Sequence, residues 1–184
     1  NLYAVCRQHE IPLFIDGARL GYGLMAKKND VALQDLPKLC DVFYIGGTKV
    51  GALFGEAVVI VNDKYKKDFR YNIKQRGGML AKGRMLGIQF EELFTENRYL
   101  TISKHAIEMA AELTKGLEEK GYSFYFPAET NQLFPILTNA MIQKLSHDFS
   151  FESWVKIDEY RTAVRFVTSW MTKEENVKKL LEQL

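Results

Sequence analysis

The first third of the chain alternates short, continuously apolar runs with stretches of helical periodicity. Apolar runs occupy 11–15, 41–45 and 56–62, and a helical pattern over 20–38 separates the first two. Short continuous apolar runs are typical of strands that are buried on both faces of a parallel sheet. The pattern therefore predicts an α/β fold with a mostly parallel sheet, preceded by the end of a helix over 1–10.

The middle of the chain, residues 63–121, shows a helical pattern with a bend at Gly77-Gly78 and a helix stop at Lys120-Gly121. Beyond it the pattern changes to short strands mixed with helices. The predicted strands are 122–126, 133–137, 151–157 and 162–170, and the predicted helices are 139–147 and 172–184, the last opening on a capping box at Thr172-x-x-Glu175. We therefore expect a partial cofactor-binding domain with connecting helices over 1–120 and a small α+β domain over 121–184.

The composition narrows the possible partners. The 184 residues are 47% hydrophobic and 26% charged, and the net charge is +2 without a basic block. Nucleic acid and anionic membrane surfaces are therefore not expected as partners. No apolar run approaches the ~20 residues of a membrane span, and Cys6 and Cys40 lie in apolar settings as expected for free thiols. The cytoplasm is the expected location.

Two polar motifs follow two consecutive apolar runs. Asp16-Gly17-Ala18-Arg19 follows the first run, and Gly46-Gly47-Thr48-Lys49 follows the second. Ligands of parallel sheets bind outside the carboxyl ends of the strands, so both motifs lie where a site is expected. Each motif alone has a plainer interpretation: a loop lysine, an aspartate that caps a helix, or an arginine paired with that aspartate. The occurrence of both motifs at consecutive strand ends favours a catalytic or ligand-binding role over these plainer interpretations.

The two motifs and their spacing carry a family resemblance. Ile15–Leu20 together with Phe43–Glu56 resembles the threonine aldolases and β-eliminating lyases, which are pyridoxal-phosphate (PLP) enzymes of fold type I. The resemblance extends over essentially the whole chain and implies the C-terminal part of that fold. Family members are considerably longer at the N-terminus, so we expect the 184 residues alone to be inactive.

The resemblance implies a role for each residue of the motifs. Lys49 is the expected cofactor-bearing lysine, and Asp16 the expected partner of the pyridinium nitrogen; these two are the predicted catalytic residues. Arg19 is expected beside the phenolic oxygen of the ring, and Gly47 and Thr48 are further predicted cofactor contacts. No metal is expected.

A third segment, Gly77–Arg84, resembles the glycine-rich turn that approaches the cofactor phosphate. Leu80 stands where many members carry an arginine. Lys74, Arg76 and Lys82 are candidates to replace that arginine, and Lys82 is the one that we predict to bind the cofactor.

Near the C-terminus, Val164–Trp170 resembles the strand whose arginine binds the substrate carboxylate. Arg165 alternates with apolar neighbours, so its side chain is expected to point inward or into a cleft, where an unpaired guanidinium would be costly. The alternative is an arginine on the solvent face of an edge strand.

The implied function is a PLP-dependent lyase that cleaves threonine or allo-threonine to glycine and an aldehyde, in a homodimer or homotetramer. A β-eliminating lyase, an aminotransferase and a non-catalytic fragment of such a fold remain alternatives. A nucleotide-binding module is disfavoured because no glycine-rich phosphate motif of the dinucleotide or P-loop type follows any predicted strand.

Overall fold

The three early apolar runs form a three-stranded sheet in the computed structural model, which describes residues 2–184. Its strands are β1 (Phe14–Ile15), β2 (Val42–Gly46) and β3 (Glu56–Ile60), in the order β1-β2-β3. β1 and β2 are parallel, with Phe14 beside Val42 and Ile15 beside Phe43. The sequence-based prediction of a parallel α/β unit is therefore confirmed for these two strands.

β3 pairs with β2 in the antiparallel sense, so the sheet predicted to be mostly parallel is a mixed one in this part of the chain. Only the loop from Gly47 to Gly55 joins the two strands, and a parallel crossover needs a dozen or more residues. The expectation that the first run is buried on both faces is wrong, since Phe14 is 56% exposed.

The helical segments of this part of the chain are shorter than the pattern indicates. The helices are α1 (Leu2–Gln8), α2 (Leu20–Leu24), α3 (Phe69–Gln75) and α4 (Arg84–Phe94), and 3-10 turns occupy Leu33–Lys38, Asp63–Tyr65 and Thr95–Asn97. The single helix predicted over 20–38 is wrong. Gly21 and Gly23 weaken α2, and the Asp35 carboxylate accepts a hydrogen bond from the backbone N–H of Ala32 at 3.1 Å, so that a separate turn begins there. The predicted bend at Gly77 is confirmed by its left-handed φ of 76°.

Asp41 joins the ends of all three strands on the side away from the two polar motifs. Its carboxylate accepts hydrogen bonds from the Leu13 backbone N–H at 2.9 Å and from the Asn62 side chain at 2.8 Å. Tyr3 and Arg7 of α1 also approach it, at 3.4 and 4.0 Å. Asp41 is 3% exposed, and these hydrogen bonds hold its pKa below the usual range, with the Asn62 bond contributing most. It therefore stabilises the sheet as a buried anion.

The second part of the chain is built around strand β7 (Arg161–Val167). β4 (Gln132–Leu133), β5 (Ile136–Thr138) and β6 (Glu152–Lys156) all pair with it in the antiparallel sense. The long helix α5 (Arg98–Glu119), α6 (Asn139–Leu145) and α7 (Glu174–Gln183) complete the elements. The apolar core includes Leu117, Leu133, Leu137, Leu145 and Val164, all with at most 1% of their surface exposed.

Three local predictions for this part are corrected. The strand predicted over 122–126 is reduced to one bridge between Phe124 and Pro135, and Pro135 divides the strand predicted over 133–137 into β4 and β5. The capping box at Thr172 is wrong as well. Its hydroxyl accepts a hydrogen bond from the Ser169 backbone N–H at 2.8 Å, and α7 begins after Lys173 without a side-chain cap.

Backbone contacts divide the chain into two compact units. One contains the residues up to Leu24 together with Asp30–Leu100, and the other contains Met25–Asn29 together with Thr101–Leu184. The division by contacts lies inside α5, whereas the sequence-based boundary at residue 120 lies at its C-terminal end. No helix within residues 2–184 is long and apolar enough to cross a membrane.

Candidate active site

The two polar motifs lie at the same edge of the first sheet. Asp16 directly follows β1, and Lys49 lies three residues beyond β2, in the turn that leads to β3. Because β1 and β2 are parallel neighbours, their carboxyl ends meet at one edge. Both side chains are exposed there. The structure thus brings together the two residues that the sequence singled out.

Asp16 is held as a carboxylate by its neighbours. The Ala18 backbone N–H donates to its Oδ1 atom at 3.0 Å, and the Tyr44 hydroxyl donates a short hydrogen bond to the same atom. The Tyr44 bond and then the Ala18 bond lower the pKa of Asp16, and the positive charges of Lys49 and Arg19 lower it further. Asp16 is therefore ionised at neutral pH and lies within the electrostatic reach of both cations.

The backbone of Lys49 is fixed although its side chain is exposed. The hydroxyl of Tyr22, a residue that is only 2% exposed, donates to the Lys49 carbonyl oxygen at 2.5 Å. The next residue, Val50, is fully buried, and its N–H donates to the carbonyl of Gly47 at 2.9 Å. The Gly47 N–H in turn donates to Glu56 of β3 at 2.7 Å. The amine of Lys49 thus projects from a well-anchored turn.

Gly46 is required by the close approach of the two motifs. Its N–H donates to the Gly17 carbonyl at 2.9 Å, and a Cβ atom at Gly46 would lie 2.5 Å from that same carbonyl oxygen. The buried Tyr99 hydroxyl donates to the Gly46 carbonyl at 3.0 Å and accepts from the Gly21 N–H at 3.1 Å. The glycine of the lysine motif therefore lets the two strand ends come together, and Tyr99 fastens them to α2.

The remaining residues predicted to bind the cofactor have diverse surroundings. Arg19 is half-buried in the turn before α2, and Gly47 is buried beneath the lysine turn. Thr48 is exposed, and its hydroxyl lies 3.5 Å from the Gly55 carbonyl oxygen. Lys82 is exposed in the turn before α4.

Arg165 lies on the central strand of the second sheet, so the edge-strand alternative is excluded. Its side chain is 21% exposed and forms an ion pair with Glu152 of β6 at 2.6 Å. It also donates to the Gln132 side-chain oxygen at 3.2 Å, and its guanidinium lies 5.6 Å from the Trp154 ring centroid. The Nε atom is buried without a hydrogen-bond partner among the described residues.

Sequence reasoning missed the tyrosines that support the first motif pair. The sequence does not single out Tyr22 or Tyr44, yet their hydroxyls bind the Lys49 carbonyl and the Asp16 carboxylate. The strand register could have revealed Tyr44, because the pairing of Ile15 with Phe43 continues to Asp16 beside Tyr44. Nothing in the sequence indicates the Tyr22 contact, which depends on how α2 packs.

Known proteins resemble this chain in sequence and in structure. Residues 1–140 match the family model for the beta-eliminating lyases. A curated low specificity L-threonine aldolase from Pseudomonas aeruginosa is 28% identical over 183 residues, which are 98% of this chain and 52% of that protein. A solved threonine aldolase structure from Leishmania major is 44% identical with a TM-score of 0.96, over 98% of this chain and 53% of that one. The chain spans about half the length of these relatives.

More distant structures share the fold. A double mutant of aspartate aminotransferase from Thermus thermophilus has a TM-score of 0.67 at 16% identity, over 99% of this chain and 50% of that one. At this identity the likeness concerns the fold alone. It agrees with the α/β class predicted from the pattern of apolar runs and helices.

Proposed function

The chain belongs to the beta-eliminating lyase family, and from this membership we propose that it forms part of a PLP-dependent aldehyde-lyase acting on β-hydroxy-α-amino acids. The reaction is cleavage of threonine or allo-threonine to glycine and an aldehyde. The observation that carries the proposal is the meeting of Asp16 and Lys49 at the ends of two adjacent parallel strands. The names of the Pseudomonas aeruginosa and Leishmania major relatives favour aldol cleavage over the other reactions of this cofactor.

The residues at this strand edge fit PLP chemically. Lys49 offers a primary amine for the aldehyde, and Asp16 offers a carboxylate that stays ionised opposite the ring nitrogen. Arg19 is assigned to the phenolic oxygen, and Gly47 and Thr48 to the nearby backbone and hydroxyl contacts. When bound, PLP withdraws electrons from the α-carbon of the amino acid, which weakens the bonds to that carbon.

The protein's own residues supply orientation and charge. Asp16 keeps a negative charge at the strand edge, and the turn anchored by Tyr22 fixes the point from which Lys49 projects. We assign the substrate carboxylate to Arg165, because its planar guanidinium is suited to a carboxylate and its side chain remains 21% exposed. We assign the cofactor phosphate to Lys82, on the resemblance of the glycine-rich turn.

We further propose the domain organisation and the assembly. Residues 1–120 would belong to the cofactor-binding domain of fold type I and residues 121–184 to a small C-terminal domain, within a cytoplasmic homodimer or homotetramer. Since the chain spans about half the length of its relatives, the complete site would draw on groups outside these residues. Residues 1–184 alone, titrated with PLP and followed by absorbance, should bind it weakly. Tight, stoichiometric and active binding would contradict this proposal.

The attachment site gives the most direct test of the function. This test and the kinetic tests below use the full-length protein that contains residues 1–184. It is incubated with PLP, reduced with borohydride, digested and mapped by mass spectrometry. The pyridoxyl group should be found on Lys49 and should disappear in Lys49→Ala, whereas Lys120→Ala, at an exposed position on the other compact unit, should keep it. A pyridoxyl group on Lys74 or Lys82 instead would contradict the assignment.

The products distinguish aldol cleavage from its alternative. Incubation with threonine should release glycine and an aldehyde in equal amounts. Release of ammonia and a keto acid would show β-elimination, the reaction named in the family description. Absence of both products, together with absence of the pyridoxyl group, would favour a non-catalytic protein.

A further inference from the structure

The contact between Tyr44 and Asp16 results from the strand register. Phe14 pairs with Val42 and Ile15 with Phe43, so the next residues along each strand are Asp16 and Tyr44. The Tyr44 hydroxyl donates a short hydrogen bond to Oδ1 of Asp16. This contact therefore involves the very carboxylate that the proposed function places opposite the cofactor ring.

Both hydrogen bonds to Asp16 converge on one oxygen. Tyr44 and the Ala18 backbone N–H each donate to Oδ1, and among residues 2–184 no hydrogen bond to Oδ2 is recorded. Two donors on the same atom restrict rotation of the carboxylate. The Oδ2 atom of Asp16 is then left to accept a hydrogen bond from a cationic donor other than Tyr44 and Ala18.

Tyr44 is suited to act as a fixed donor. Its ring is half-buried and lies 6.0 Å from the ring of Phe14, centroid to centroid. The hydrogen bond to Asp16 raises the pKa of Tyr44 to about 12, with smaller contributions from burial and from the charges of Asp16 and Glu56. The phenol therefore keeps its proton at physiological pH and can donate it to Asp16. Packing against Phe14 fixes the ring, and the hydroxyl is left to hold Asp16.

We propose that Tyr44 is a positioning residue, which holds Asp16 through Oδ1 so that Oδ2 is presented to the protonated ring nitrogen of PLP. The inference rests on the proposed function, because it gives Asp16 a ring nitrogen to face. A purely structural role for Tyr44 is the alternative. Tyr44→Phe separates the two, since it keeps the packed ring and removes only the hydroxyl.

The first measurement needs no cofactor. In protein labelled with carboxyl-¹³C aspartate, the Asp16 resonance is assigned with Asp16→Asn and titrated with acid. The pKa of Asp16 should rise toward its ordinary value in Tyr44→Phe, because the largest of the interactions that lower it is gone. Tyr160→Phe is the matched control, since Tyr160 is 71% exposed and lies in the other compact unit. The control should leave the Asp16 titration unchanged.

The second measurement uses the PLP-loaded protein. In Tyr44→Phe, kcat should fall about tenfold while KM changes less than about twofold, because a hydrogen bond to a charged group is lost at a residue that does not touch the substrate. The absorbance band of the bound cofactor should also change its pH dependence, since the ring nitrogen would face a less ordered carboxylate. Tyr160→Phe should show none of these changes.

The outcomes separate this inference from the proposed function. An unchanged Asp16 titration in Tyr44→Phe, or an unchanged kcat and cofactor band, would overturn the role of Tyr44 while leaving the proposed function intact. A wild-type protein that carries no pyridoxyl group on Lys49 after reduction would overturn the proposed function, and with it the role of Tyr44 toward the ring.

Discussion

The hydroxyl of Tyr22 donates a 2.5 Å hydrogen bond to the backbone carbonyl of Lys49, 27 residues further along the chain. Tyr22 is only 2% exposed, so this contact ties the lysine turn to buried structure in α2. The reactive group that we assign to Lys49 lies at the tip of its flexible side chain. Its position therefore depends on the backbone beneath it, and Tyr22 fixes that backbone.

Loss of the Tyr22 hydroxyl should weaken the fold modestly. In Tyr22→Phe the Lys49 carbonyl loses its side-chain donor while the ring stays packed, so the free energy of unfolding should fall by about 1 kcal/mol. Urea unfolding followed by circular dichroism measures the change. Tyr71→Phe, at a position that is 74% exposed, should stay within about 0.5 kcal/mol of the wild type. Equal stability of the two variants would argue against the anchoring role.

Asp16→Asn tests the charge opposite the ring nitrogen. An amide of the same shape cannot supply a negative charge, so kcat for glycine release should fall about a hundredfold or more while some cofactor is retained. Steady-state assays with threonine and the absorbance of the bound cofactor provide the two measurements. Asp30→Asn, at an exposed position of the same compact unit, serves as the control. Near-normal turnover in Asp16→Asn would exclude the assigned role.

Asp41 should make the stability depend on pH. Its pKa is lowered in the folded chain, so its contribution is complete above the ordinary value of 3.8 and is lost as the pH falls through the lowered folded value. Asp41→Asn should therefore reduce the free energy of unfolding by about 1–3 kcal/mol at pH 7, and by progressively less below about pH 4. Urea unfolding at several pH values measures this. A deficit that stays constant down to the lowest pH would show that charge is not the cause.

The sequence predicts where the candidate site lies, but it does not predict the tyrosine hydroxyls that hold Asp16 and Lys49 in place. Consecutive apolar runs that end in Asp16 and Lys49 are a local signal, and the parallel pairing of β1 with β2 turns that signal into proximity. The hydroxyls of Tyr22 and Tyr44 form contacts across 27 and 28 residues, which no periodicity encodes. Tyr44, which lies in an apolar run, looks like a core residue until the strand register is known.

The failed predictions of secondary structure also have local causes. Periodicity extends the helix predicted over 20–38 because the apolar spacing continues, but two glycines and the Asp35 turn interrupt it. The apolar pattern does not give the direction of β3, because an apolar run looks the same in a parallel and in an antiparallel strand. The connection between β2 and β3 ends at Gly55 and is too short for a parallel crossover, so its length indicates an antiparallel pair.

Arg165→Lys tests the assigned carboxylate site. A lysine keeps the positive charge but loses the planar fork and the Nε–H, which is buried without a partner among the described residues. We expect KM for threonine to rise about tenfold or more, with a smaller change in kcat, since a two-point contact with the carboxylate becomes a single one. Steady-state kinetics across a range of threonine concentrations measures both constants. A change confined to kcat would place the carboxylate elsewhere.

Glu152 provides a second test of Arg165 as the carboxylate site. Its carboxylate lies 2.6 Å from a guanidinium nitrogen of Arg165, and its side chain is 63% exposed. If the substrate carboxylate binds Arg165, Glu152 competes with it, and the competing exposed pair is worth about 0.2–1 kcal/mol. Glu152→Gln should therefore lower KM up to about fivefold without destabilising the fold. Glu174→Gln removes a comparable exposed pair with Lys178 and should leave KM unchanged. A rise in KM in Glu152→Gln would instead mean that Glu152 orients Arg165, and the idea of competition would then have to be abandoned.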